Sequence, residues 1–347
     1  MKNNKSLPLD KFIENTLYDK KKGYYSTKNP FGKYGDYITA PAISGLFSEM
    51  IAIWIISFWK NLNKPKKFNV VELGPGDGTL SKVLIKSFEK FPSFFKTVNL
   101  YLYERSNLLK KIQKQKLENT NAKWLKHISE IKSGPTIFFG NEFFDAIPIK
   151  QFKRQNKLVF EKYILLNNNI KSRIIYKQAS KKTIKKLKEF KLLKTNGTIE
   201  FPELGLKELK KIVAKVKKFG GGILLIDYGY QKNQNINTLQ SVKLHKKNEV
   251  FDDIGKADIT SLVNFNLIKD YLTKKGLKSN KIVSQSFFLK RIGILKRAEI
   301  ISHKMTFKEK SDLYYRLTRL LSPKHMGEIF KIIFAYKSQK KIQLGFK

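Results

Sequence analysis

The chain contains no cysteine among its 347 residues, and it has only four histidines. The absence of cysteine excludes disulfides, thiolate metal sites and cysteine nucleophiles. The histidines, at positions 127, 245, 303 and 325, do not have the spacing of metal ligands. No metal site is therefore predicted.

Long hydrophobic runs are also missing. The most apolar segment, Leu46–Trp59, carries Glu49 and falls short of the about 20 residues that a membrane-spanning helix needs. We interpret it as a buried helix. The start of the chain is polar and contains Pro8, which does not fit a secretory signal. The expected location is the cytoplasm of a bacterium, or the mitochondrial matrix if the source is eukaryotic.

Acidic residues are few, since 28 acids stand against 70 basic residues and the formal net charge is +42. Only 7 of the basic residues are arginines, and the 63 lysines are spread along almost the whole sequence. Nucleic-acid-binding proteins usually use arginine as well, because its guanidinium group matches phosphate and guanine. A solvated lysine coat is the favoured interpretation, and the charge leaves nucleic acid open as a weak, salt-dependent partner.

Residues Val70–Leu80 form the most informative motif. An apolar run is followed by glycines at positions 74, 76 and 78, and then by a helical pattern. Strand, glycine turn and helix begin a nucleotide-binding α/β unit, in which glycine lets a ligand approach the backbone. The spacing, with Glu72 before the first glycine, is similar to the first motif of class I S-adenosylmethionine (SAM) methyltransferases. A plain turn is the alternative, and we favour a nucleoside cofactor over it.

From residue 68 onward, strand patterns alternate with helical ones. This alternation predicts an α/β fold with a mostly parallel, Rossmann-like sheet and helices on both faces. The expected strands are one that ends at Glu72, Val98–Tyr103, a short one in Lys123–His127, Thr136–Phe139, Ile223–Ile226, Lys281–Leu289 and Ile329–Tyr336.

The alternation of strand and helix patterns is interrupted after residue 150, which predicts an inserted smaller subdomain. It reads as short strands with a turn at Asn167–Asn169 and a basic helix, Lys181–Lys194. Farther on, the polar stretch Gln231–Ala257 is long enough to be a functional loop. The predicted parts are a helical segment with a lid loop at Gly23–Pro41 (1–66), a cofactor-binding half (67–150), the inserted subdomain (151–200), and the second half of the sheet with a substrate-side loop and C-terminal helices (201–347).

Acidic residues follow four of the predicted strands: Glu72, Glu104, Glu142 with Asp145, and Asp227. The carboxyl ends of parallel strands share one edge of a sheet, where ligands bind. Acids gathered there in so basic a chain predict a functional site. Glu104 ends the second strand, from which an acid can accept hydrogen bonds from both ribose hydroxyls. The alternative is that it stabilises the start of the next helix.

The segment Asn141–Pro148 is the second informative motif. Methyl transfer from a sulfonium requires an aligned nucleophile, and a guanidinium with a pKa above about 12 is a poor one. Glu142 and Asp145 could hold a guanidinium by bidentate hydrogen bonds and accept its proton. The alternative is a helix cap at Asn141 with Phe143–Phe144 in the core.

The same segment disfavours methylation of nucleic-acid bases. Methylases of exocyclic base amines have Asn/Asp-Pro-Pro-aromatic at this place, whereas this chain has Asn-Glu-Phe-Phe at 141–144. Enzymes that methylate a pyrimidine carbon need a cysteine nucleophile, and the chain has none.

Seven motifs occur in an order that resembles a known family, the MidA family of SAM-dependent methyltransferases. They are Gly35–Pro41, Glu72–Leu80, Asn141–Pro148, Ile226–Tyr230, Ala257–Thr260, Ser286–Leu289 and Met326–Gly327. This family includes the mitochondrial complex I assembly methyltransferase. The resemblance implies a class I fold with an added subdomain, SAM as the cofactor, and protein arginine methylation linked to respiratory complex I assembly.

The resemblance also implies the roles of individual residues. The cofactor-binding residues would be Glu72, Gly74, Pro75, Gly76, Asp77, Gly78, Glu104 and Asn141, with Gly35, Asp36 and Thr39 in a lid. The catalytic residues of the acceptor pocket would be Glu142, Asp145 and Asp227. The substrate-binding candidates are Tyr228, His245 and Asp258, although a polar surface turn explains His245 and Asp258 about as well.

The chain departs from the family pattern at three positions. Ala42 stands where glutamate is usual, Asp77 where a basic residue is common, and Tyr230 where histidine is usual. The expected partner is a protein that bears the target arginine, and a complex I subunit is one candidate. An RNA methyltransferase and a non-catalytic assembly factor remain as alternatives, and no oligomeric state is predicted.

Overall fold

The computed structural model describes residues 5–32, 35–166, 172–194, 196–232 and 235–347. The turn predicted at Asn167–Asn169 lies outside the described residues. The strands are β1 (Lys5–Pro8), β2 (Phe68–Leu73), β3 (Val98–Tyr103), β4 (Lys123–Leu125), β5 (Thr136–Asn141), β6 (Lys150–Gln155), β7 (Leu158–Leu166), β8 (Arg173–Gln178), β9 (Gly197–Phe201), β10 (Gly221–Tyr230), β11 (Gln240–Lys243), β12 (Lys246–Asn248), β13 (Asp258–Thr260), β14 (Val263–Asn264), β15 (Lys278–Ser279), β16 (Val283–Ser284) and β17 (Phe330–Lys337). The helices are α1 (Leu9–Tyr18), α2 (Tyr24–Thr27), α3 (Ala40–Ile43), α4 (Gly45–Asn61), α5 (Thr79–Glu89), α6 (Pro92–Phe95), α7 (Asn107–Lys116), α8 (Lys181–Glu189), α9 (Glu203–Phe219), α10 (Phe265–Lys274), α11 (Gln285–Arg291), α12 (Ile294–Ser302), α13 (Phe307–Leu321) and α14 (Met326–Ile329), besides a 3₁₀ turn at Ile128–Glu130.

The central sheet has the strand order β15-β17-β10-β5-β2-β3-β4, with β14 beside β10 and β16 beside β17. Strands β4, β3, β2, β5 and β10 run parallel, and β17 is antiparallel to β10. The chain leaves β2 toward β3 on one side and later returns to β5 on the other. The order therefore reverses between β2 and β5, where open α/β sheets bind their ligands. The two motifs of the sequence follow these two strands.

Successive side chains of the central strands point to opposite faces, which gives the domain two cores. In β2, Val70 packs into one core and Val71 into the other. The first core is filled by the apolar helix α4 together with α5, α11 and α13, and the second by α9 and α10. The fold is thus α/β, with helices on both faces of a mostly parallel sheet.

A five-stranded antiparallel sheet lies outside the central one. Its order is β1-β7-β6-β9, and β8 pairs with β7. Strand β1 comes from the N-terminal segment, which was predicted to be mostly helical, and pairs with β7 from Lys5↔Leu166 to Pro8↔Tyr163. A third sheet has three strands in the order β12-β11-β13. Strands β11 and β12 lie within the predicted loop Gln231–Ala257, and β13 follows it. The division of the chain into four parts stays a prediction.

Most predicted strands are confirmed within a few residues, but the strand predicted at Lys281–Leu289 is wrong. Only Val283–Ser284 is extended there, and helix α11 follows. The Ser284 side chain accepts a hydrogen bond from the Phe287 amide at 3.3 Å and so caps this helix. The apolar run was taken for a strand because a short buried helix has the same composition. In the described part of the chain, no helix has both the length and the apolar character needed to cross a membrane.

Candidate active site

The glycine loop joins β2 to α5 and has a backbone that side chains would disturb. Gly74 and Gly76 have φ values of +62° and +55°, in the left-handed region that favours glycine. A Cβ atom on Gly76 would lie 3.0 Å from Cζ of Phe31, and one on Gly74 would lie 2.9 Å from Cδ2 of Phe143. Gly78 lies behind them as the N-cap residue of α5. The loop is therefore closely covered by aromatic rings.

A cavity of about 590 Å³ lies at the switch point of the sheet. It brings together most of the residues that the sequence predicted for the site. Those lining it are Thr39, Glu72, Gly74, Pro75, Gly76, Asp77, Glu104, Asn141, Glu142, Asp145, Tyr228 and Asp258. Those not lining it are Gly35, Asp36, Gly78, Asp227 and His245.

Glu72 and Glu104 lie on the glycine-loop side, together with Asp77 of the loop itself, which pairs with Lys116. Glu72 is buried and accepts a hydrogen bond from the Ser81 hydroxyl, and burial raises the pKa of Glu72 to about 8. Glu104 accepts hydrogen bonds from the Ser106 amide at 2.7 Å and from Gln113 Nε2 at 3.2 Å, and burial raises its pKa. The N-cap of the following helix is Ser106, so Glu104 is left facing the cavity.

Glu142 has an unusual backbone for a residue other than glycine, with φ at +53°. Its amide donates to the Ile226 carbonyl at 2.9 Å, which ties the end of β5 to β10. Its carboxylate accepts hydrogen bonds from Asn141 Nδ2 at 3.0 Å and from the Ala40 amide. Burial and then the charge of Asp145 raise the pKa of Glu142 to about 8. A strained backbone that orients an ionisable group is typical of functional sites.

Asp145 is the second carboxylate of the segment Asn141–Pro148. One of its oxygens accepts a hydrogen bond from the Tyr228 hydroxyl, while Oδ1 is buried and accepts none within the described structure. Its pKa is raised to about 6 because it is buried, and the Tyr228 hydrogen bond opposes that shift. Asp145 therefore lines the cavity, and its buried Oδ1 has no hydrogen-bond donor within the described structure.

Asp227 lies beneath the cavity rather than on its surface. Its Oδ2 accepts hydrogen bonds from the amides of Phe144 at 2.8 Å and Asp145 at 3.2 Å, and its Oδ1 accepts one from the Tyr228 amide at 2.9 Å. Burial and the nearby charges of Asp145 and Glu142 raise its pKa well above the usual range. In the described structure, Asp227 holds the backbone of the residues that face the cavity.

The lid residues are held by Asp36. Its buried side chain accepts hydrogen bonds from the Tyr24 hydroxyl, from Lys28 Nζ and from the Leu244 amide, and its carbonyl accepts one from the His245 amide at 3.2 Å. His245 lies in the tight turn between β11 and β12, and its side chain is exposed to solvent. The lid is thus fixed to a hairpin that belongs to the predicted loop Gln231–Ala257.

Arg105, Lys110 and Lys126 also line the cavity, and Arg105 pairs with Glu14 there, but five acids of the site have no such partner within the described structure. Among the described residues, no lysine or arginine forms an ion pair with Glu72, Glu142, Asp145, Asp227 or Asp258. The described part of the chain also has no group of histidine and acidic residues that could hold a metal ion. Burial disfavours the charged form of a carboxyl group that has no ion-pair partner, and the pKa values of these acids are raised accordingly.

The chain matches a known family of proteins. A family model described as "Putative S-adenosyl-L-methionine-dependent methyltransferase" matches residues 50–283. The chain belongs to this family, the MidA family of SAM-dependent methyltransferases. Its motifs predicted this membership, and the cofactor is SAM.

Curated relatives of this MidA-family chain are mitochondrial proteins. The chain is 25% identical over 350 residues to "Protein arginine methyltransferase NDUFAF7, mitochondrial" of Xenopus laevis, covering 94% of this chain and 80% of the relative. The human protein of that name is 27% identical over 365 residues, with coverages of 98% and 82%. A Caenorhabditis elegans homologue is 29% identical over 303 residues, covering 78% of this chain and 69% of the relative.

A solved structure confirms the fold of this MidA-family protein. A methyltransferase-like protein of Burkholderia thailandensis, crystallised with S-adenosyl-homocysteine, superimposes with a TM-score of 0.82 at 20% identity. The match covers 99% of this chain and 89% of the other. The central sheet with its added sheets is therefore a shared architecture.

The glycine-loop side of the cavity fits SAM by its own features. At Gly76 a side chain would fill the space beside the backbone, and Glu104 offers carboxylate oxygens at the end of β3. Asn141 also lines the cavity, and its buried Oδ1 accepts no hydrogen bond within the described structure. These are the features that a nucleoside cofactor with a charged amino-acid part requires.

Sequence reasoning missed the aromatic cover of the cavity. Tyr18, Tyr25, Phe31 and Tyr37 all line it, and Phe31 and Tyr37 pack edge to face with ring centroids 5.4 Å apart. The signal was present in the aromatic-rich loop Gly23–Pro41. This loop was predicted to be a lid, but that role was assigned to Gly35, Asp36 and Thr39 and not to the aromatic side chains.

Proposed function

We propose that this methyltransferase transfers a methyl group to an arginine side chain of a protein. The observation that carries the proposal is the pair of acceptor carboxylates, Glu142 and Asp145, which line the cavity and form no ion pair with a described lysine or arginine. A guanidinium supplies both the charge and the several N–H donors that this pair lacks. The relatives from Xenopus laevis and human, which are named protein arginine methyltransferases, support the same substrate class.

The proposed roles divide the cavity into two halves. Gly74 and Gly76 allow close approach of SAM, Glu104 binds its ribose hydroxyls, and Glu72 and Asn141 bind nearby polar groups. SAM, when bound, supplies an electrophilic methyl carbon whose bond to sulfur breaks as the new carbon–nitrogen bond forms. The glycine-loop half therefore serves the cofactor, and the acidic half serves the acceptor.

On the acceptor side, Glu142 and Asp145 hold the guanidinium and localise its charge away from the attacking nitrogen. That nitrogen releases one proton as it gains the methyl group, and the Glu142 carboxylate accepts this proton. A carboxylate whose pKa is raised to about 8 is a better base than an ordinary glutamate. Asp227 acts through the backbone that it holds. A bacterial cytoplasmic location and a complex I subunit as the substrate belong to the same proposal.

Glu142→Gln tests the proposal. The variant keeps the size of the side chain but removes the charge and the base, so methyl transfer should fall by at least about 100-fold. SAM affinity, measured by calorimetry, should change less than about threefold. Transfer is measured with labelled SAM on a peptide library with a fixed central arginine, and on a matched library with citrulline at that position.

The control variant is Glu200→Gln. Glu200 is also a buried glutamate with a raised pKa, but it does not line the cavity. It should lose stability without losing transfer per folded molecule. Retained transfer in Glu142→Gln would contradict the proposed base, and transfer to RNA in place of the arginine library would contradict the proposed substrate.

A further inference from the structure

The acidic half of the cavity has a carboxylate that does not come from the central sheet. Asp258 begins β13, in the three-stranded sheet, and is only 3% exposed. It lines the same cavity as Glu142 and Asp145. The charge of Asp145 raises the pKa of Asp258, and the charge of Asp258 raises the pKa of Glu142. The three carboxylates are therefore neighbours, although they lie on separate sheets.

The orientation of Asp258 is fixed by hydroxyl groups. The Tyr25 hydroxyl lies 3.2 Å from each of the two Asp258 oxygens, and the Tyr37 hydroxyl lies 3.1 Å from that of Tyr25. The Ile259 amide also donates to Asp258 Oδ1 at 2.9 Å. Tyr25 and Tyr37 belong to the N-terminal segment, and both line the cavity. Neutral donors thus hold the carboxylate in place without neutralising it.

Such an arrangement is unfavourable in the absence of a ligand. A carboxylate removed from water loses solvation, and a second carboxylate nearby adds repulsion. The unused Oδ1 of Asp145 shows that the hydrogen-bonding capacity of the cluster is not filled within the described structure. A cation that entered would favour the ionised form of all three acids and would pair with them without requiring any of them to reorient.

We propose that Asp258 is a third anchor for the acceptor guanidinium, and that Tyr25 and Tyr37 are positioning residues that orient it. The inference rests on the proposed function. A guanidinium has five N–H donors in a planar fork, which two carboxylates do not exhaust. An ammonium has three donors about one point, and so it gains less from a third carboxylate. Asp258 therefore contributes to selection of arginine over lysine.

The test uses the full chain loaded with S-adenosyl-homocysteine, and calorimetric titration with three probes. These are Nα-acetyl-arginine amide, its neutral isostere with citrulline, and the lysine analogue. Wild type should bind the arginine probe at least tenfold more tightly than the other two. Asp258→Asn should weaken arginine binding at least tenfold and should change S-adenosyl-homocysteine affinity less than twofold.

Tyr25→Phe separates orientation from charge. It leaves the carboxylate in place but removes the hydroxyl that contacts both oxygens, so arginine affinity should fall about threefold to tenfold. With the arginine library, both variants should raise KM more than they lower kcat, because binding is what they lose. Glu200→Gln is the control for loss of a buried acid, and it should leave arginine affinity unchanged.

Two failures can be told apart. If wild type binds and methylates arginine and Asp258→Asn does so equally well, the role of Asp258 is overturned and the proposed function stands. The role is also overturned if the variant loses S-adenosyl-homocysteine and arginine to the same extent. If folded wild type binds the cofactor product but neither binds nor methylates arginine, the proposed function fails and this inference falls with it.

Discussion

The cofactor half of the site can be tested with a single methyl group. Gly76→Ala adds a Cβ at a backbone φ of +55°, and that atom would lie 3.0 to 3.3 Å from three ring carbons of Phe31. The ring must shift by a few tenths of an ångström, and the space between the loop and its cover becomes smaller. The cofactor is expected in that space.

The magnitude follows from two contributions. The left-handed conformation costs an alanine about 1 to 2 kcal/mol relative to glycine, which lowers the stability of the folded protein. Loss of the close approach should weaken SAM binding by at least about 1.4 kcal/mol, which is a tenfold rise in Kd. Calorimetric titration with SAM measures the second effect, and urea unfolding measures the first.

Gly293→Ala is the matched control. Gly293 also has a positive φ, at +97°, and a Cβ there would meet nothing within 4 Å. This variant should lose a similar amount of stability and keep the wild-type affinity for SAM. If Gly76→Ala binds SAM as tightly as Gly293→Ala does, the cofactor does not approach the loop at Gly76 and the reasoning is refuted.

Three further predictions concern the acids around the cavity. Asp227→Asn places an amide against three backbone N–H groups, so the free energy of unfolding, measured in urea, should fall by about 1 to 3 kcal/mol. Methyl transfer should fall as well, while SAM still binds. Unchanged transfer would contradict a positioning role for Asp227. Asp36→Ala releases Lys28 and the β11–β12 hairpin from the lid, so the Kd for SAM should rise several-fold, and an unchanged Kd would separate the lid from the cofactor. The pKa of Glu142 is raised to about 8 from an ordinary 4.5, so the folded state binds more protons than the unfolded state between these values. Stability should therefore fall as pH rises from about 4.5 to about 8, and Glu142→Gln should weaken that dependence in urea titrations at several pH values; an equal slope in the variant would assign it to other groups.

The central sheet was predictable because its signals are local. A buried strand followed by glycines and a helix is specified by adjacent residues, and β2, β3 and β5 appear at the places that the apolar runs indicated. The meeting of the glycine loop with the Asn141 segment also followed, because parallel strands bring their carboxyl ends to one edge. What depends on local pattern and on sheet geometry can be derived from the sequence.

The remaining features depend on pairings between distant parts of the chain. Strand β1 exists because it pairs with β7, from Lys5↔Leu166 to Pro8↔Tyr163, and nothing in Lys5–Pro8 alone indicates so distant a partner. The same holds for Tyr25, whose hydroxyl meets Asp258 only after the N-terminal segment folds over the cavity. His245 was a candidate for substrate binding because of its side-chain chemistry. A tight turn between β11 and β12 instead leaves it exposed to solvent, which its local sequence did not indicate.

The charge of the chain is best understood against this local arrangement. A net charge of +42 attracts polyanions to the surface, but exposed lysines act over about a Debye length of 8 Å at physiological salt. Inside the cavity the sign is reversed, because Glu142, Asp145 and Asp258 have no paired cation among the described residues. A phosphate backbone that entered would oppose ionisation of these acids, whereas an arginine side chain would favour it and pair with the carboxylates. The acidic site therefore supports the proposed protein cation over RNA as the substrate, despite the basic surface.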